Sequence, residues 1–387
     1  MSSFDIYQQT FLLTFVVEAL QDTKAPLAVL QAEAQSMMPK LITNWGVGPW
    51  KIVWGPTVWK HTLEHDSKTG PDNTWFIARS NVLGQDTYVL AIAGSASTYD
   101  YIHDDFGIDS VVDFNAFVAS YTVPPTATPR DKVNDNGTAY VAYGTASASY
   151  TLLNVPAPVG AASAGLNIVQ FLSTVSPSSQ IVSAGHSLGA ALAPTVAMVL
   201  KKAKQWNNLT VYATAGPTPG NGQFANQYYL AFPFIRPGPQ PWQCWNKNIC
   251  NSNDVVPQAW CTNPASGLNL TNIHNIYLAS PLLVRLYLDG IVAVAKALLV
   301  LSEISYMPIT NLVFTSDDFV VPKTRTELDH MIGVQHHDAY FDFMKLPPSV
   351  SVKAIHALAA EHGLTVKSER ERNEDLPIFG LLKIFQQ

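Results

Sequence analysis

Gly185-His186-Ser187-Leu188-Gly189 is a pentapeptide whose residue types and spacing could do covalent chemistry. It is a G-x-S-x-G pattern. Before it, Ile181-Val182-Ser183-Ala184 reads as a buried strand; after it, Ala190-Ala191-Leu192-Ala193 reads as the opening of a helix. A strand that turns sharply into a helix forces the serine into a strained backbone conformation, and glycines on either side let neighbouring chain approach closely. The Ser187 hydroxyl then projects toward a substrate. The helix N-terminus beside it offers unpaired N–H groups and the positive end of a dipole, both of which favour a developing oxyanion. Pro194 falls inside the expected helix, where proline removes a hydrogen bond and tends to kink the chain.

A serine hydroxyl is a poor nucleophile near neutral pH, so it needs a histidine to take its proton and a carboxylate to orient that histidine. On a strand-elbow-helix site these follow the serine in the order acid, then base. Downstream of Ser187 the chain offers Asp254, Asp317, Asp318 and Asp329 as acids, and the adjacent pair His336 and His337 as bases. The other histidines, including His186, read as motif, surface or packing residues.

These groups require a scaffold. Short β-branched runs at Thr87 to Ala93, Gln180 to Ser183 and Leu209 to Thr214 each lead into turn residues and helical patterns, which predicts a mainly parallel sheet with helices on its faces. Near the N-terminus, Phe11 to Val17 forms an apolar run with no positive residue before it, unlike a signal peptide. Thr14, Glu18 and Gln21 recur at helical spacing, so the run is expected to be a core-docking helix with a polar face. The apolar stretch Pro281 to Ile304 is interrupted by Arg285, Asp289 and Lys296, which argues against a membrane span and for a packed or interfacial helix pair. Pro124 to Pro129 and Pro237 to Pro241 read as surface loops.

At 387 residues, 47% hydrophobic and 13% charged, the chain can bury a large core. No low-complexity linker divides it, so residues 1–387 are expected to form one domain with an N-terminal helical extension and an insertion near 281–304. A net charge of −6 leaves no basic footprint for nucleic acid and favours a neutral or apolar substrate. Cys244, Cys250 and Cys261 are too few and too local for a disulfide framework, and no cysteine or histidine spacing suggests a metal, so no cofactor is expected.

At GHSLG the sequence resembles the class 3 lipases, the fungal triacylglycerol lipase family. The resemblance continues at Ala215-Gly216-Pro217-Thr218-Pro219-Gly220-Asn221 with Phe224-Ala225 after it, and its motifs run from about Tyr88 to Phe341. It implies an α/β-hydrolase fold: a mainly parallel central sheet flanked by helices, with a lid segment and here a helical insertion. It also implies ester hydrolysis through Ser187, Asp254 and His337. Asp254, in Asn253-Asp254-Val255-Val256-Pro257, is similar to the family's Asp-x-Val-Pro loop. His337-Asp338-Ala339-Tyr340-Phe341 resembles its His-x-x-Tyr-Phe ending, whereas His336 would put the aromatic out of step. Leu90 to Ser97 is similar to the strand ending in Gly-Ser/Thr-x-Ser, which implies an oxyanion hole built from Ser95 and the Leu188 N–H. Tyr99 to Asp105 occupies the place of the family's lid helix, with aromatics and three acids mixed. The chain departs from the family at Ala93, where an arginine often precedes the glycine, and at Val141-Ala142-Tyr143-Gly144, where a histidine usually does.

The resemblance thus implies a hydrophobic ester or acylglycerol as substrate, met at a lipid–water interface, and family habit implies secretion although no signal peptide is seen. The same residues would serve a feruloyl-type esterase or an acyltransferase. A lipase-like binding or signalling protein without turnover would keep the fold alone.

Overall fold

The computed structural model describes residues 3–61, 63, 66–81, 84–94, 107–204, 206–368 and 371–372. Ser95 and the expected lid from Tyr99 to Asp105 lie outside them.

Seven strands form the central sheet: β1 (Lys51–Trp59), β2 (Asn73–Ser80), β3 (Thr87–Ile92), β4 (Gln180–His186), β5 (Leu209–Thr214), β6 (Asn248–Asn251) and β7 (Asn311–Phe314). They lie in the order β7-β6-β5-β4-β3-β2-β1. From β3 to β7 every pairing is parallel, and β2 runs antiparallel to both of its neighbours. The three strands expected from β-branched runs are β3, β4 and β5, and the sheet is mainly parallel as expected. Their side chains alternate between two apolar layers. Leu90 and Ile92 face one layer, with Ile181 and Val211, while Val89 and Ala91 face the other, with Val182 and Tyr212. Burial on both faces explains why these strands read as continuous apolar runs.

The first layer is covered by the long helix Leu188–Lys204, which packs on β4 and β5 and runs through Pro194. The second is covered by the first helix, Ile6–Val17, and by Leu27–Asn44. Asp5 caps the first helix by accepting from the Tyr7 and Gln8 N–H groups. Its far contacts are with residues 341–344: Gln8 Nε2 donates to the Met344 carbonyl, and the Phe11 and Phe15 rings meet the edge of Phe341.

Two expectations about helices need correction. The first helix has no solvent-facing polar side at Thr14 and Glu18, because both residues are buried. The Thr14 hydroxyl bonds back to the Phe11 carbonyl, and Glu18 is turned toward the sheet. The stretch near 281–304 is one helix, Leu282–Leu301, rather than a pair; it packs on the short helix Thr271–Ile276 that precedes it. Among the described residues no helix is long and apolar enough to cross a membrane. Cys244, Cys250 and Cys261 are free and buried.

Candidate active site

Ser187 stands where β4 ends and the helix Leu188–Lys204 begins, with φ at +56°. That left-handed conformation costs a non-glycine residue about 1–2 kcal/mol, so the turn is held by its surroundings. The Ser187 N–H donates to the Thr214 carbonyl on β5, and its own carbonyl accepts from the Ala190 N–H. The two glycines of the motif are required by contact. A Cβ on Gly185 would lie 2.2 Å from the Gly189 carbonyl, and one on Gly189 would lie 2.3 Å from the Ile92 carbonyl of β3. Elbow, neighbouring strand and helix are therefore wedged together with no room for a side chain.

Asp254 sits three residues past the end of β6, in a turn where its N–H donates to the Asn251 carbonyl. Its Oδ1 accepts from the Val256 N–H at 3.0 Å, and its Oδ2 accepts from the Tyr340 hydroxyl at 2.9 Å. Burial pushes this carboxyl up to about 7, against those two hydrogen bonds, which pull it down.

The histidine that completes the chain of hydrogen bonds is His336. Its Nδ1 is 2.9 Å from Asp254 Oδ2 and its Nε2 is 2.9 Å from Ser187 Oγ. An ionised carboxylate accepts only, so Nδ1 carries the hydrogen and Nε2 receives from the serine hydroxyl. Burial, with His186 adjacent, holds the His336 imidazole well below its usual pKa and so neutral, the form a general base requires.

The expectation of His337 is thereby overturned. Its ring packs edge-on to Phe15 and His336 and tilted against His186, and the hydrogen bonds to Ser187 and Asp254 are made by His336. The physical reason is a π-helical turn over Val334–Asp338, where the Ala339 N–H reaches back five residues to the Val334 carbonyl. Such a turn holds one more residue than an α turn and recurs at functional sites. A spacing of four, His336 to Tyr340, then brings both side chains onto Asp254, and the family-like spacing of three from His337 does not.

Further support comes from residues that motif reading passed over. The Tyr340 hydroxyl accepts from the Asn251 N–H while donating to Asp254. The Asn251 amide donates to the backbone and side-chain oxygens of Gln335, next to the catalytic imidazole. His186, buried under the elbow, is 2.9 Å through Nε2 from the His336 carbonyl. The competing acid Asp329 is held instead by Arg325 at 2.7 Å. His186, His336 and His337 bring ring nitrogens within 4.8 Å of one another. Both nitrogens of His336 are engaged by Ser187 and Asp254, so an ion there would have to break the chain of hydrogen bonds.

The geometry does what nucleophilic acyl transfer requires. His336 takes the Ser187 proton as the oxygen attacks a carbonyl carbon, and Asp254 stabilises the imidazolium that forms.

Comparison with known proteins agrees. Residues 89–263 match the class 3 lipase family model, a stretch that includes the elbow and Asp254. The solved structure of M37 lipase is similar over 93% of this chain and 99% of its own, at 19% identity and a TM-score of 0.65, which establishes a shared fold. A lipase from Rhizopus microsporus var. chinensis matches at 19% identity over 66% of this chain and 70% of its own, with a TM-score of 0.37. The Rhizomucor miehei lipase propeptide complex matches at 18% identity over 68% and 65%, with a TM-score of 0.37. No curated protein sequence matches the chain. With its mainly parallel sheet, its strained elbow and its Ser187–His336–Asp254 chain of hydrogen bonds, the protein is a serine ester hydrolase of the α/β-hydrolase fold whose residues 89–263 match the class 3 lipase family model.

Proposed function

We propose that the substrate is an acylglycerol or a similarly hydrophobic carboxylic ester, hydrolysed through an acyl-enzyme on Ser187. The observation that carries the chemistry is the pair of 2.9 Å contacts that link Ser187, His336 and Asp254. Ser187 Oγ bonds to the ester carbon while its proton passes to His336 Nε2. The tetrahedral intermediate collapses as that proton goes to the departing alcohol. Water then attacks the acyl-enzyme, with His336 again as base, and releases the acid. The Leu188 N–H, at the start of the elbow helix, and Ser95 are the donors assigned to the oxyanion, each contributing roughly 3–4 kcal/mol.

The substrate class is supported by the family match and by an exposed apolar surface. Leu282, Leu283, Leu286 and Val300 all stand exposed on the helix Leu282–Leu301, and apolar surface of that kind suits contact with a lipid phase. The test is hydrolysis of a p-nitrophenyl ester series and of emulsified triacylglycerol, with Ser187→Ala as control and a fluorophosphonate probe on Ser187. Turnover that rises with acyl length and vanishes in Ser187→Ala supports the reading. Preference for a feruloyl ester, or acyl transfer to an alcohol in place of water, would redirect it. A folded wild type that neither turns over nor reacts with the probe would leave a binding protein.

A further inference from the structure

Glu18 is a buried carboxyl that the reaction as described does not use. It lies at the end of the first helix, and its Oε1 accepts from the Gly94 N–H at 3.2 Å. Gly94 leads from β3 into Ser95 and packs against the nucleophile: a Cβ there would lie 3.2 Å from Ser187 Cβ. The same Glu18 oxygen is 3.6 Å from His186 Nδ1, a fully buried nitrogen with no hydrogen-bond partner. The other nitrogen of His186 faces the His336 carbonyl at 2.9 Å.

The tautomer follows from the partners. A carbonyl oxygen only accepts, so His186 Nε2 carries a hydrogen. In a neutral imidazole Nδ1 is then a bare lone pair, turned toward a carboxyl oxygen inside the protein. Two facing lone pairs in a dry interior repel, and one proton between them removes the conflict. That proton sits either on Glu18 or on His186, and the pair has no net charge in both cases. Burial pushes the Glu18 carboxyl up, which favours holding the proton there.

We propose that Glu18 and His186 share one proton and act as positioning residues for ester hydrolysis, clamping the Gly94 N–H and the His336 carbonyl from beneath the elbow. The proposal rests on the triad reading given above. One end of the clamp fixes the end of β3 at Gly94, against the nucleophile Ser187. The other end fixes the backbone of the general base. Asp22 lies near Glu18, but its carboxylate is held by His356 at 2.6 Å and Arg372 at 3.7 Å. Asp254 also acts on His186 electrostatically, the His336 and His337 rings lie 4.8 and 5.5 Å from that of His186, and the uncharged Phe15 and Tyr340 rings pack against it.

The test compares Glu18→Ala with Glu18→Gln, whose amide oxygen can accept from Gly94 while its NH2 donates to His186 Nδ1, with no charge. Glu18→Ala is expected to lower kcat about 10- to 100-fold with KM little changed, and to slow fluorophosphonate labelling of Ser187. Glu18→Gln is expected to recover most of that loss. Full kcat in a folded Glu18→Ala, or equal damage in both variants, overturns the proposal. Imidazole ¹⁵N spectra of wild-type protein read the pair independently of turnover. Protonated Nε2 and a hydrogen-bonded Nδ1 on His186 support it, and a free Nδ1 lone pair overturns it even if the chain hydrolyses no ester. An inactive wild type with the hydrogen-bonded signature defeats the activity reading alone.

Discussion

Tyr340 and His336 meet on a single oxygen, Asp254 Oδ2, each at 2.9 Å. Asp254 therefore orients the imidazole while itself being oriented by a phenol, which also takes the Asn251 N–H. Tyr340→Phe removes a donor to the carboxylate and leaves a buried N–H unpaired. A loss of roughly 1–3 kcal/mol in unfolding free energy is expected, together with a several-fold fall in kcat. Denaturant melts and initial rates check the two effects separately.

The buried carboxyl sets the acid limit of activity. Asp254 must be ionised to hold Nδ1–H and the imidazolium, and burial places it at about 7. Protonation as pH falls thus removes activity, so kcat/KM should decline below about pH 7 with an apparent value that belongs to the His336–Asp254 pair. Tyr340→Phe takes away a stabilising donor and should move that limb upward. A flat profile down to pH 5 would contradict the assignment.

Adjacent histidines provide a direct test of the π turn. His336→Ala should reduce turnover by 10³-fold or more, on the order of the loss seen when a triad base is removed. His337→Ala, which loses ring packing against Phe15, His336 and His186 but leaves the hydrogen bonds of His336 to Ser187 and Asp254 in place, should retain most activity. Steady-state kinetics of both variants, with folding verified by circular dichroism, decide between them.

The elbow glycines should tolerate nothing larger. Gly189→Ala puts a methyl 2.3 Å from the Ile92 carbonyl, and backbone cannot move aside as a side chain would. Destabilisation above about 3 kcal/mol is expected, measurable as a shifted midpoint in urea. Gly222→Ala, whose nearest neighbour would be 3.9 Å away, serves as the permissive control.

Much of the architecture was legible in the residues. Thr87, Gln180 and Leu209 open strands because β-branched runs bounded by turn residues have few other solutions, and Gly185 with Gly189 marks a close approach that the structure confirms. The choice between His336 and His337 was not legible. Motif spacing assumes ordinary helical winding, and a local π turn changes which residue faces the carboxylate. Glu18 misled for a different reason. Periodicity separates polar from apolar positions, but it cannot tell a polar residue in water from one buried against a partner at Gly94 or His186. The single helix Leu282–Leu301 was also misjudged, because Asp289 and Lys296 interrupt the apolar run in sequence without interrupting the helix.

The first helix touches the C-terminal part of the chain through Gln8 and Met344, residues 336 positions apart, and its Phe11 and Phe15 close on Phe341. Contacts of such separation are the slowest a chain makes, since the entropy of closing so large a loop is lost before any contact compensates it. The sheet and its elbow can assemble from nearer neighbours. During refolding, ordered secondary structure should therefore return before hydrolysis does, with catalytic competence waiting on the arrival of residues 336–344 against the helix that ends beside Glu18.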